Sequence, residues 1–64
     1  MPNPEGNHST LASRLAAVHY EAWHDYAMRS GEPLEVRSVM HNGEWCVEVV
    51  DYELGSVRQH VHFA

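Results

Sequence analysis

Apolar residues recur at Leu11, Leu15, Val18, Ala22 and Tyr26. That spacing gathers on one side of a helix that turns by roughly 100° per residue. A second set, Ala16, Tyr20, Trp23 and Ala27, repeats the spacing about 130° further round the axis, and Arg14, Glu21 and Asp25 fill the remaining side. From residue 34 onward the period falls to two, predicting strands at about 34–41, 44–52 and 57–63. The helix is expected to begin at Ser9 or Thr10, either of which can cap it, and to stop near Ser30, with Gly31 at C′ and Pro33 just beyond.

Asn42-Gly43 separates the first two strands, and both residues tolerate the positive φ that a two-residue type I′ hairpin turn requires. A turn that tight sets His41 opposite Glu44. Met40–Trp45, Ser38–Val47 and Val36–Val49 then share one face, and Val39–Cys46 and Arg37–Glu48 share the other with His41–Glu44. Glu53-Leu54-Gly55-Ser56 suits a longer second hairpin loop. If that loop closes at Gly55, His60 pairs with Glu48 and His62 with Cys46. Simple alternation places Val57, Val61 and Phe63 beside Trp45, Val47 and Val49 beneath the helix. The expected fold is α+β: one N-terminal helix on a three-stranded antiparallel meander, order α-β-β-β, in two layers.

One stripe suffices to cover a small sheet, and Leu11, Leu15, Val18, Ala22 and Tyr26 are expected to do so. The second stripe reads either as further core or as a partner surface, with Tyr20 and Trp23 as anchors and Ala16 and Ala27 permitting close approach. His19, between the stripes, is expected to be partly buried and bonded to a backbone carbonyl, and His24 to face solvent.

The 64 residues allow one domain, with 1–8 as a flexible lead-in that includes His8 and 9–64 as the folded unit. A domain of this size is marginally stable on its core alone. Cys46 is the only cysteine, so no disulfide supplements it, and self-association or a metal is expected to. The formal charge is −5, and all positive residues are scattered arginines: Arg14, Arg29, Arg37 and Arg58. Without a basic patch the chain is not expected to bind nucleic acid directly or an anionic membrane surface. An acidic surface suits a basic protein, including the nucleic-acid-binding face of another protein. There is no long apolar run and no signal-peptide pattern at the start, and the single thiol fits a reducing compartment, so a cytoplasmic location is expected.

Candidate chemistry lies on the outer sheet face. Arg37, Glu48 and His60 form a polar group suited to a partner contact. His41, Cys46 and His62 offer zinc's preferred ligand types, with no His-x-x-x-His or paired-cysteine spacing to support them. No Gly-rich phosphate loop, G-x-S-x-G elbow or enclosed pocket is foreseen, so an enzyme acting by itself is not expected. In size, acidity and lack of catalytic apparatus the chain is similar, as a class and with no shared motif, to small phage and mobile-element proteins that block host machinery, anti-CRISPR proteins among them. The sequence thus points to a non-enzymatic interaction module, an inhibitor or adaptor that forms a homodimer. A small zinc-binding or metal-sensing protein and an accessory subunit of an enzyme complex are the alternatives.

Overall fold

A computed structural model describes residues 11–64 of the chain. The expected flexible lead-in over 1–8, with His8, and the capping Ser9 or Thr10 lie outside the described residues. Helix α1 spans Leu11–Ser30, and strands β1 (Leu34–His41), β2 (Glu44–Asp51) and β3 (Ser56–Phe63) form an antiparallel sheet in the order β1-β2-β3. The helix lies across one face of that open sheet and touches all three strands.

The helix stops where its sequence stops it. Gly31 takes φ 74° and its N–H donates to the Ala27 carbonyl at 3.3 Å, while Ser30 Oγ accepts from the Glu32 N–H at 3.1 Å. Asp25 and Arg29, one turn apart, pair at 2.8 Å on the exposed side of the last turns. The Asn42-Gly43 turn has φ of 51° and 79° at its two residues, as type I′ geometry demands. All eight β1–β2 pairs follow from it, His41 opposite Glu44 through Leu34 opposite Asp51. In the second loop Asp51, only 7% exposed, accepts from the Glu53 and Leu54 N–H groups at 3.0 and 2.9 Å through Oδ1. Those two bonds satisfy one oxygen of a buried carboxylate and hold the turn that Gly55 completes at φ 73°.

The β2–β3 register places Glu48 opposite His60 and Cys46 opposite His62, as expected. The pairing slips between Val49 and Val50: Val49 meets Gln59, but Val50 meets Val57, so Arg58 is an inserted residue. This bulge corrects the expected placement of Val57. One extra residue reverses the alternation, and Val57 joins Val50 on the outer face with 60% of its surface exposed.

The larger correction concerns the helix. Ala16 is 2% exposed, and Trp23 and His19 both reach Gln59 on the inner face of β3, so the Ala16–Tyr20–Trp23–Ala27 stripe is the one that packs on the sheet. The stripe expected there points away: Leu11 is 70% and Val18 65% exposed, and Leu15, Ala22 and Tyr26 are exposed with them. The reason is shape and polarity together. Small residues at 16 and 27 let the helix axis approach the sheet, and Gln59 offers the acceptor that the indole and imidazole N–H groups need once they leave water. The core is completed by Leu34, Val47 and Val49.

Candidate functional site

Two surfaces stand out. The first is the outer face of the sheet, where period-two alternation brings residues from all three strands together. Glu48, on the central strand, lies between Arg37 on β1 (Nε to Oε1, 3.9 Å) and His60 on β3 (Nε2 to Oε2, 3.6 Å). Two residues along, His62 Nδ1 stands 3.3 Å from Glu44 Oε1. The His60 and His62 rings lie 4.9 Å apart, and the His41 ring meets His62 edge-on at 5.7 Å.

Cys46 sits among these groups and is fully buried although its strand position faces outward. Burial first, and the Glu48 and Glu44 carboxylates next, push its thiol above the usual cysteine range. The thiol is therefore held in its protonated, weakly nucleophilic form. Its sulfur and one ring nitrogen each of His60 and His62 lie within 4.8 Å of one another. The sequence-derived trio of His41, Cys46 and His62 is thus brought together only in part. His41 packs on the His62 ring, and His60 takes its place in the tight cluster. The i, i+2 spacing of His60 and His62 on one strand is the signal that marks this pair.

The second surface is the helix flank carrying Leu11, Leu15, Val18, Ala22 and Tyr26. At its lower end Tyr26 donates its hydroxyl to Glu32 Oε2, and Arg58, delivered by the bulge, donates to Glu32 Oε1 at 2.9 Å. The Tyr26 hydroxyl, and then Arg58, hold the Glu32 carboxyl below its ordinary range, while the same bond raises the Tyr26 phenol. Of the expected partner residues, Ala16 is buried under the helix and Tyr20, Trp23 and Ala27 are half-buried on the sheet side. Arg37, Glu48 and His60 are contiguous on the outer sheet face. His19 is half-buried as expected, but its partner is the Gln59 side chain at 2.6 Å rather than a backbone carbonyl, and His24 is exposed, stacked on Tyr20.

The Glu32 cluster has a consequence for acid stability. A carboxyl held low in the folded state stabilises the fold above its unfolded-state range, and that contribution is lost as pH falls through the folded value. The melting-temperature gap between wild type and Glu32→Gln should therefore be constant from neutrality to about pH 5 and should close in stronger acid. A gap that is absent at neutral pH would show that the cluster contributes nothing.

No family model, curated protein or solved structure matches this chain. No helix among the described residues is long and apolar enough to cross a membrane.

Proposed function

We propose that this chain is a non-enzymatic interaction module that self-associates through its helix and serves as an inhibitor or adaptor, in the cytoplasm, for a basic protein. The observation that carries this reading is the exposed stripe Leu11–Leu15–Val18–Ala22–Tyr26, which runs along nearly the whole length of α1. A water-facing helix side ordinarily carries polar residues, so an apolar side on a domain with so small a core calls for a cover.

A second copy is the occupant that fits. In an antiparallel pair centred near Val18, Leu11 lies over the second copy's Tyr26 and Leu15 over its Ala22, large against small. The twofold axis of such a pair sets each flank of one helix beside the same flank of the other. Arg14 then falls between Glu21 and Asp25 of the second copy, and opposite charges meet at both ends. A parallel pair would bring unlike flanks together and lose that match. The acidic surface left outside the pair, with Arg37, Glu48 and His60 on the sheet, supports a basic partner through electrostatic complementarity.

The test is the pair Leu15→Asp and Val18→Asp. Both positions are exposed in the single copy, so helical circular dichroism should be little changed, while the melting temperature should fall by whatever pairing contributes to stability. Association measured by light scattering should weaken by roughly 30-fold or more, the loss expected of a central anchor. A wild-type chain that remains monomeric at the highest concentration reached would overturn the reading.

A further inference from the structure

We infer that Cys46, His60 and His62 form a binding site for a single divalent cation of the zinc class. The proposal is independent of the helix-mediated pairing, because it uses the opposite face of the sheet. Three observations carry it. The donor set is one sulfur and two imidazole nitrogens, the borderline-soft combination that selects zinc and its neighbours over magnesium or calcium. The three donor atoms lie within 4.8 Å of one another. Around a tetrahedral zinc such atoms stand about 3.3–3.6 Å apart, given metal–ligand lengths of ~2.0–2.3 Å. Closing the difference takes about 1 Å of movement, within the reach of two exposed histidine side chains turning over a fixed sulfur.

The third observation is the surrounding shell. Each imidazole already has one nitrogen beside a carboxylate, His62 Nδ1 at Glu44 and His60 Nε2 at Glu48. A metal-bound imidazole usually gives its second N–H to such a carboxylate, which fixes the ring and raises its basicity. With those nitrogens held by the carboxylates, His62 Nε2 and His60 Nδ1 would be the atoms turned to the metal. Glu44 and Glu48 also offset the cation's charge, and the Cys46 proton leaves to solvent as the metal–sulfur bond forms. Three protein ligands leave a fourth position for water or a further donor, the pattern of an open rather than a closed zinc site. His41 lies against the His62 ring and is a packing neighbour rather than a ligand.

Cobalt(II) reports on this site directly, because a thiolate ligand gives it a charge-transfer absorption and tetrahedral geometry gives intense visible bands. Metal-free, tag-free protein titrated with cobalt should develop both at one equivalent, and zinc should bleach them. Cys46→Ser should abolish the charge-transfer band. Because Cys46 is buried, His60→Gln and His62→Gln provide surface variants that fold independently of that result, and each should weaken cobalt binding ~10–100-fold or more. His41→Gln should leave the titration unchanged. No charge-transfer band in folded wild type would overturn the site. So would a band unaffected by His60→Gln but lost with His41→Gln, which would transfer the ligand role to His41.

Discussion

Replacing Trp23 with alanine should lower the melting temperature by roughly 12–24 °C. The indole lies half-buried between helix and sheet, donates through Nε1 to Gln59 Oε1 at 2.7 Å and meets the Tyr26 ring edge-on at 5.5 Å. Truncating a buried aromatic costs about 3–5 kcal/mol in larger proteins, and partial exposure puts Trp23 at the low end, about 3. A domain of this size starts near the bottom of the usual 5–15 kcal/mol range. A loss of about 3 kcal/mol removes more than half of that stability and moves the transition to a much lower temperature. Far-UV circular dichroism against temperature is the measurement. A melting temperature within a few degrees of wild type would place Trp23 outside the core and restore it to the surface.

Gln59→Leu should be almost as damaging without removing any apolar contact. One amide oxygen accepts from both Trp23 Nε1 and His19 Nε2. Since the indole can only donate, the shared atom is the acceptor, and His19 must carry its proton on Nε2. Leucine keeps much of the volume and leaves two N–H groups facing hydrocarbon. Each unsatisfied donor costs about 1–3 kcal/mol when buried, and partial exposure of both brings the sum to about 2–3. Gln59→Glu keeps an acceptor in place and should retain most of the stability. Urea unfolding of the two variants distinguishes them. Equal midpoints for Gln59→Leu and wild type would mean that water satisfies both rings.

The hairpin register was legible in the sequence because one dipeptide decides it. Asn42-Gly43 permits a single tight turn, and the alternation on either side agrees with it residue by residue, down to Arg37 opposite Glu48. Gly31 and Pro33 marked the helix end for a comparably local reason. The orientation of the helix was less accessible. Both stripes have helical period and comparable apolar content, so periodicity cannot rank them. The deciding features are a polar residue, Gln59, in a strand position otherwise read as apolar, and two side chains on the helix, His19 and Trp23, that need an acceptor. Read as a partner anchor, Trp23 is dispensable to the fold; seated on Gln59, it is part of it. The Arg58 bulge was hidden likewise, since Val57 fits the alternation until an inserted residue reverses it. On the outer face the Glu48–His60 and Cys46–His62 pairs followed from the register. That His60 and not His41 joins the sulfur depends on side-chain directions that spacing does not encode.

The meander visits its strands in the order in which they lie side by side, and its two connections are short, of two and four residues. Closing short loops costs little chain entropy, so both hairpins can form early and locally. The contact that spans the chain is the seat of the helix on β3, where His19 and Gln59 are separated by 40 residues. Docking of the helix therefore closes a far longer loop than either hairpin does. Until it happens, the inner face of the sheet is as exposed as the helix's outer stripe. In a crowded cell the nascent chain therefore offers two apolar surfaces, one that its own helix closes and one that stays exposed along that helix.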